Sequence, residues 1–97
     1  MSDDNGSAEG EKRSARELTL AAREAIEELT GHKPESVTGM EWDSEAWDIT
    51  VEVCELARVP NTTDVMATYV VRLDDTGRML GYKRERRYSR GAVEQAG

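Results

Sequence analysis

Covalent catalysis requires a nucleophile beside a positioned base, and this sequence contains one cysteine and one histidine that could serve. Cys54 falls within a stretch of alternating apolar residues, which is typical of a strand, whereas His32 follows the end of a predicted helix. An imidazole at that position commonly complements the carboxyl end of the helix. Nothing in the spacing joins the two residues into a catalytic pair, and we expect the chain not to be an enzyme.

The ligand sets for metals, phosphates and cofactors are incomplete as well. The sequence has no cluster of Cys and His with the spacing of a metal site. The segment 74–77, Asp-Asp-Thr-Gly, lacks the alternating ligands and the closing Glu of a calcium loop. Gly77 and Gly81 fall in a predicted hairpin, and no Gly-Lys-Ser/Thr phosphate loop follows a strand. We therefore expect no bound metal and no cofactor.

Charge is distributed unevenly along the chain. Residues 78–90 carry six basic side chains and one acidic, a local charge of +5. The rest carries seven basic and nineteen acidic side chains, a charge of −12, and the two parts give the −7 of the whole chain. Such a chain is repelled from nucleic acid at long range, yet its short basic segment can bind an acidic partner.

Three interpretations of the basic segment, residues 83–90, remain open. Its arginines can contact a partner protein, they can pair with acidic neighbours such as Glu52 or Glu55, or they can stack with Tyr88 on RNA bases. The negative charge elsewhere weighs against nucleic acid. Protein contact is therefore favoured, and an RNA- or polyanion-binding module is the alternative function.

The predicted loop at residues 55–64 is longer than a hairpin requires. Pro60 stiffens it, and the side chain of Asp64 or Asn61 can close it by hydrogen bonding to the backbone. Arg58 is either a contact residue or a salt-bridge partner of Glu55. The loop and residues 82–90 together supply the candidate partner-binding residues: Arg58, Pro60, Tyr82, Arg84, Arg86, Arg87, Tyr88 and Arg90.

The first element that positions these residues is a helix. Ser14 and Glu17 have the spacing of a capping box, in which each side chain binds the backbone amide of the other residue. Gly31 ends the helix, because glycine readily takes the left-handed conformation found there, and Pro34 prevents its continuation. The face that we expect to be buried consists of Leu18, Ala22, Ala25, Ile26 and Leu29.

After the helix the apolar period changes to two, which predicts strands with one buried face. The predicted strands span residues 37–42, 47–54, 65–73 and 79–88. The links between them are short, and short links join antiparallel neighbours. The predicted fold class is therefore α+β, with one N-terminal helix packed on a four-stranded antiparallel meander sheet.

Pairing the second and third predicted strands across the loop gives a register in which six apolar residues share the helix-covered face. The predicted pairs are Val53 with Tyr69, Val51 with Val71, and Ile49 with Leu73.

The last hairpin admits two arrangements that differ in the face they give to Leu80 and Tyr82. A type I turn with Gly77 in a bulge pairs Val70 with Tyr82 and Arg72 with Leu80, on the face away from the helix. A plain two-residue loop would turn Leu80 and Tyr82 into the core. We favour the bulge, which makes the open face a mixed surface typical of protein interfaces or else ordinary sheet filler. Its residues would be Cys54, Met66, Val70, Leu80, Tyr82, Arg84, Arg86 and Tyr88.

Length and composition permit one domain with a modest core. Residues 1–13 contain one alanine and no larger apolar side chain after Met1, which predicts a disordered acidic tail. Residues 14–90 form the predicted domain, and 91–97 a flexible C-terminal tail. No apolar run approaches the roughly 20 residues that span a bilayer, and the N-terminus lacks the apolar region of a secretory signal. With a lone cysteine, these features predict a cytoplasmic protein without membrane contact.

An ordered set of features runs from about Leu18 to Arg90. It comprises Leu29-Thr30-Gly31-His32-Lys33-Pro34, Val37 through Gly39, Trp47, Val51-Glu52-Val53 with Glu55, Arg58-Val59-Pro60 with Asp64, Tyr69, Leu73-Asp74 with Gly77, Gly81-Tyr82-Lys83-Arg84 and Arg87-Tyr88-Ser89-Arg90. Together these features resemble the gas vesicle protein O family. Cys54 stands where we expect the family to have a hydrophobic residue, so no cysteine chemistry is inferred.

The resemblance implies an accessory or minor protein needed for gas vesicle formation, which acts by protein–protein interaction. A shell-forming role is disfavoured, because a gas-facing wall should be far more apolar than a chain with 34% charged residues. The implied partners are other gas vesicle proteins, among them the ATPase-like protein N or shell subunits, and the implied location is the gas vesicle. The family offers no active site to transfer, and exposed strand edges leave a homodimer open.

Overall fold

The structure, a computed structural model, describes residues 12–91 of the chain. It contains α1 (Ala15–Thr30), β1 (Pro34–Trp42), β2 (Trp47–Leu56), a 3₁₀ turn (Asn61–Thr63), β3 (Val65–Leu73) and β4 (Met79–Ser89). The four strands form one antiparallel sheet in the order β1-β2-β3-β4. The predicted α+β meander is confirmed. The predicted tails lie almost entirely outside the described residues, and the domain bounds stay predictions.

The helix α1 begins at the predicted capping box. The Ser14 hydroxyl oxygen accepts a hydrogen bond from the backbone amide of Glu17 at 3.1 Å, and the backbone amide of Ser14 donates to the Glu17 carboxylate at 2.9 Å. The helix ends at Gly31, whose φ of +77° is left-handed. The amide of Gly31 donates to the carbonyl of Glu27 at 2.9 Å, which satisfies one of the free carbonyls at the helix end.

The hydrophobic core lies between α1 and the strands β1, β2 and β3. Alternate apolar side chains of β2 and β3 point towards the helix, and fully burying one such aliphatic side chain stabilises the fold by about 1.5–3 kcal/mol. Of the predicted helix face, Leu29 is exposed and Ala25 is half-buried. The strand β4 is exposed along most of its length. The buried cluster consists of Leu18, Ala22, Ile26, Ile49, Val51, Val53, Ala67, Tyr69, Val71 and Leu73.

The predicted register between β2 and β3 is wrong by two residues. The structure pairs Val51 with Tyr69 and Ile49 with Val71, and Glu55 is an extra residue in a bulge near the end of the ladder. The bulge at Glu55 and the 3₁₀ turn (Asn61–Thr63) both lie within residues 55–64, which were predicted to form a plain loop. Because side chains alternate with a period of two, a two-residue slip leaves every residue on its predicted face.

The predicted turn between β3 and β4 is confirmed, but the predicted pairing beyond it is wrong. Gly77 has a φ of +93°, and its amide donates to the carbonyl of Asp74 at 3.0 Å, as a type I turn with a glycine bulge requires. A second extra residue, Leu80, then shifts β4 by one position, so that Tyr82 pairs with Val71. Tyr82 therefore lies on the helix-covered side, with its ring centroid 6.3 Å from that of Tyr69.

A further bulge in β4 changes once more which of its side chains point to each face of the sheet. Arg84 pairs with Tyr69 on the helix-covered side, which contradicts its predicted place on the open face. Glu85 is the extra residue, and beyond it Arg86 and Tyr88 lie on the open face as predicted, opposite Thr68 and Met66 respectively. The bulges at Leu80 and Glu85 thus divide the basic residues of β4 between the two faces of the sheet.

Replacing Ser14 with Ala removes the side-chain acceptor of the Glu17 amide, and we expect the free energy of unfolding to fall by about 1 kcal/mol. Ser14→Asp keeps an oxygen at the same position and is the matched control, with an expected loss of at most a few tenths of a kcal/mol. Urea denaturation followed by circular dichroism measures both changes. Equal transition midpoints for Ser14→Ala and the natural chain would contradict this role of the cap.

Candidate partner-binding surface

Glu55 holds two of the candidate arginines on the helix-covered side of the sheet. Its carboxylate accepts a hydrogen bond from Arg84 Nη1 at 3.1 Å and another from the Tyr69 hydroxyl at 3.0 Å, and its Oε1 lies 2.9 Å from Arg87 Nε. The Glu55 side chain is only 8% exposed, whereas the two arginine side chains are 45% and 54% exposed. One carboxylate therefore faces two guanidiniums, which leaves a net positive charge at the surface.

On the open face, the Glu52 carboxylate accepts hydrogen bonds from side chains of β3 and β4. The Tyr88 hydroxyl donates to Glu52 Oε1 at 2.6 Å, and the Thr68 hydroxyl donates to the same oxygen at 2.8 Å. The pKa of Tyr88 is raised to about 12, mainly because the phenol is partly buried and secondly because it donates a hydrogen bond to Glu52. The guanidinium of Arg86 lies over the Tyr88 ring, 4.6 Å from its centroid, in a cation–π contact. Tyr88 is thus engaged at its hydroxyl and on one ring face.

Arg90 links three separate parts of the chain at the end of the sheet. Its guanidinium donates to Asp64 Oδ2 at 3.0 and 3.1 Å and to the two Glu35 oxygens at 2.7 and 3.1 Å. Its backbone amide also donates to the Asp64 carbonyl at 3.0 Å. Charge-assisted bonds of this kind are roughly twice as strong as neutral ones. The end of β4 is therefore fixed against both β1 and the start of β3.

Asp64 also closes the loop between β2 and β3, as the sequence predicts. Its Oδ1 accepts a hydrogen bond from the Arg58 amide at 2.8 Å, and the Thr63 hydroxyl donates to the Pro60 carbonyl at 2.8 Å. The bond from the Arg58 amide, with a smaller contribution from Arg90, lowers the pKa of Asp64 against the opposing effect of burial. The loop tip, defined as Arg58, Val59 and Pro60, is exposed, and the Val59 side chain is fully so.

The candidate residues divide by their electrostatic partners. Arg84, Arg87, Tyr88 and Arg90 are held by carboxylates. Within residues 12–91, Arg58 and Arg86 have no carboxylate at ion-pair distance, so the predicted alternative of an Arg58–Glu55 salt bridge is not found.

Two further exposed residues of this surface, Lys83 and Val59, were not among the predicted candidate residues. Lys83 pairs with Val70 on the open face and, in the described part of the chain, has no carboxylate partner. The exposed Val59 follows Arg58 directly, and an apolar residue in a polar loop was its only signal in the sequence. We call Lys83, Arg84, Arg86 and Arg87 the basic edge.

A concavity of about 470 Å³ lies on the open face and reaches all four strands. Two of its charged lining residues are paired with each other, because Arg72 Nη1 donates to the Asp48 carboxylate at 3.0 and 3.1 Å. Arg72 Nη2 also lies 2.6 Å from the neighbouring Asp43. Asp48, Thr50, Val70, Arg72, Gly81 and Lys83 are among its lining residues. The concavity gives the open face a polar, hydrogen-bonding floor.

The described residues contain neither a metal-binding cluster nor a membrane-spanning helix. Between residues 12 and 91, no group of three or more His, Cys, Asp or Glu side chains could hold a metal ion. In that same part of the chain, no helix has the length and apolar character needed to cross a membrane. Cys54 pairs with Met66 in the β2–β3 ladder, and the backbone amide of His32 donates to the Thr30 hydroxyl at 3.1 Å.

The fold and the surface define a small α+β domain in which one helix covers an antiparallel meander and a basic, partly ion-paired strand forms one edge. The profile of the gas vesicle synthesis protein GvpO family matches residues 1–94. The chain belongs to this family, which confirms the resemblance seen in its sequence.

Individual relatives agree with the family match. The chain is 46% identical over 71 residues to gas vesicle protein O of a Streptomyces species, an alignment that covers 73% of this chain and 56% of that protein. It is 38% identical over 87 residues to gas vesicle protein O1 of Halobacterium salinarum, covering 84% and 73% respectively. Gas vesicle protein O of Haloferax mediterranei is 36% identical over 77 residues, covering 78% and 55%. The chain thus spans little more than half of two of these relatives. No solved structure matches it.

Replacing Glu55 with Ala leaves Arg84 and Arg87 without their shared carboxylate and the buried Tyr69 hydroxyl without an acceptor. Since the arginines are half exposed, we expect the free energy of unfolding to fall by about 1–2 kcal/mol, mainly through the unsatisfied hydroxyl. Glu85→Ala, the same change at an exposed position of β4, should alter it by less than about 0.5 kcal/mol. Urea denaturation tests both variants, and equal losses would show that the Glu55 contacts are not stabilising.

The lowered pKa of Asp64 predicts a direction for the pH dependence of stability. Because the folded pKa lies below the unfolded value of 3.8, the contribution of the carboxylate is complete above about pH 4 and is lost as the pH falls through the folded pKa. We expect Asp64→Asn to be less stable than the natural chain at neutral pH, with the difference shrinking below about pH 4. Thermal unfolding at several pH values measures this. A difference that stays constant down to low pH would refute the assignment, and Asp75→Asn controls for the loss of one acidic charge.

Proposed function

We propose that this chain is an accessory protein of gas vesicle formation and that it acts by binding another gas vesicle protein. Membership of a gas vesicle synthesis family supports a role in gas vesicle formation, and the relatives carry gas vesicle protein names. The observation that carries the mode of action is β4, an exposed strand with basic side chains on both faces of an otherwise acidic chain. The proposal includes no catalytic step, and it gives the chain a cytoplasmic, gas vesicle-associated location.

The proposed contact surface combines the basic edge with the loop tip. The two are neighbours, because Ser89 at the end of β4 pairs with Val65, and Arg90 binds Asp64 at the base of the loop. Arginine and tyrosine are frequent among the residues that contribute most to protein interfaces, and Tyr82 is 43% exposed beside the basic edge. The proposed partners are other gas vesicle proteins, with the ATPase-like protein N and shell subunits as candidates.

Binding of RNA or another polyanion has less support. Of the residues that could stack on bases, Tyr88 already has Arg86 on its ring and Glu52 on its hydroxyl. Arg84, Arg87 and Arg90 are engaged by carboxylates. These carboxylates neutralise part of the positive charge that attracts a phosphate backbone, so protein contact remains the proposal.

The test uses cells that lack the gene for this chain and are complemented with variants. Lys83→Glu/Arg86→Glu reverses the two charges of the basic edge that no described carboxylate holds, and it avoids Arg84 and Arg87 because they stabilise Glu55. We expect few or no gas vesicles and reduced recovery of gas vesicle proteins with the tagged variant. Flotation of the cells, electron microscopy and pull-down measure these outcomes.

The matched control is Arg16→Glu/Lys33→Glu, which makes the same change in charge at exposed positions of α1 and of the segment that follows it. We expect this variant to support normal gas vesicle formation. Equal vesicle yield from both double variants would remove the basic edge from the proposal. Recovery of RNA without any gas vesicle protein would overturn protein contact as the mode of action.

A further inference from the structure

The strand β4 forms one edge of the sheet, and its hydrogen-bonding pattern is fixed at both ends. Among the residues that the structure describes, the sheet order gives β4 one neighbour, β3. The Asp74 amide donates to the Arg78 carbonyl at 2.9 Å at the turn, and the Arg90 amide donates to the Asp64 carbonyl at 3.0 Å at the far end. Asp64 and Asp74, at the two ends of β3, thus both direct a backbone group towards β4. Because backbone groups alternate along a strand, the even-numbered residues of β3 are the ones whose amides and carbonyls point towards β4.

The alternation of an antiparallel ladder then identifies the backbone groups of β4 that point away from the sheet. Residues that exchange hydrogen bonds with β3 alternate with residues whose amide and carbonyl point outward. Tyr82 pairs with Val71 and Arg84 pairs with Tyr69, both odd-numbered positions of β3. The amides and carbonyls of Tyr82 and Arg84 therefore point outward, available to another strand.

The opposite edge of the sheet is less suited to accept a strand. The strand β1 begins at Pro34, which has no amide to donate, and it contains bulges at Glu35 and Thr38. Glu35 is also held by Arg90. The regular part of β1, residues 39–42, carries Glu41 and no basic side chain, so this edge does not attract an acidic strand, whereas β4 offers outward-pointing groups beside basic side chains.

Charge specifies what kind of strand fits beside β4. Lys83 and Arg86 project from the open face, and Arg84 and Arg87 project from the helix-covered side, so an added strand meets positive charge on both of its faces. Opposite charges on neighbouring strands stabilise their pairing, and like charges oppose it. A second copy of β4 would bring basic residues next to basic residues. The favoured occupant is therefore an acidic segment of another protein.

We propose that an extended, acidic segment of a partner protein adds to this sheet as a fifth strand along β4. It exchanges main-chain hydrogen bonds with Tyr82 and Arg84 and sets its carboxylates beside the basic edge, which is the mode known as β-strand addition. The half-exposed Tyr82 and Met79 supply apolar contact on the helix-covered side. This inference rests on the proposed function, because it specifies how the partner is bound.

Hydrogen exchange of the full chain tests the proposal directly. The probe is a short synthetic peptide of alternating Glu and Val, compared with the same peptide carrying Lys in place of Glu. At a peptide concentration about ten times its Kd, we expect exchange of the Tyr82 and Arg84 amides to slow about tenfold with the Glu peptide. The Lys peptide should leave both rates unchanged.

A pair of variants separates the backbone contact from the side chain. Tyr82→Pro removes the outward amide without removing a bond to β3, and edge strands tolerate proline in this orientation. Tyr82→Ala is the matched control, since it removes the ring and keeps the amide. We expect the Glu peptide to bind Tyr82→Ala and not Tyr82→Pro, with circular dichroism used to verify that both are folded. Should the proline variant not fold, the exchange rates of the natural chain still decide the question.

Several results would overturn strand addition. These are equal peptide binding by the two Tyr82 variants, absence of binding by the Glu peptide, and binding of an RNA oligonucleotide of equal charge in place of the Glu peptide. Self-association through β4, seen as protection of the Tyr82 and Arg84 amides that rises with protein concentration alone, would replace the acidic partner with a second copy.

The same variants in cells distinguish this inference from the proposed function. If Lys83→Glu/Arg86→Glu abolishes gas vesicles while Tyr82→Pro and Tyr82→Ala behave alike, binding through the basic edge stands and strand addition fails. If the charge reversal has no effect on vesicle yield, binding through the basic edge fails, and strand addition fails with it.

Discussion

The buried carboxylate of Asp64 is the interaction on which the rest of this structure depends. It accepts the Arg58 amide from the loop before it and the Arg90 guanidinium from the end of β4, and Arg90 in turn reaches Glu35 in β1. A carboxylate with so little exposure to solvent needs such donors around it. The same contacts hold the last strand in register, and the register decides which backbone groups of β4 face outward.

Bulges in the strands aim the other carboxylates at their arginines. Glu35 and Glu55 are each the extra residue of a bulge, and a regular strand would direct both differently. The bulge at Leu80 turns Arg84 to the side where Glu55 lies. The bulges at Glu35, Glu55 and Leu80 therefore bring together carboxylates and arginines that form ion pairs.

The sequence predicts those features that local signals determine. The capping box at Ser14, the Gly31 helix end and the period-two strands each depend on neighbours in the chain, and all were predicted correctly. The alternation of apolar residues could not reveal the two-residue slip between β2 and β3, because the same side chains are buried in either register.

The bulges at Leu80 and Glu85 could not be predicted, since neither residue is a glycine and the contacts that favour them are distant in sequence. The face of Tyr82 was predicted wrongly for this reason. The eight candidate residues of the surface, by contrast, were named from charge, loop length and the family resemblance, and the sequence left open which of the arginines pair with carboxylates. That choice depends on Glu35, Glu55 and Asp64, which only the folded sheet brings to them.

The two bulges of β4 have one more consequence. Between them only residues 81–84 form an uninterrupted edge. Long, flat edges template the open-ended stacking of sheets into fibrils, and bulges blunt them. Because its bulges interrupt β4 in this way, the strand can accept one partner segment and is poorly suited to propagate a sheet of its own.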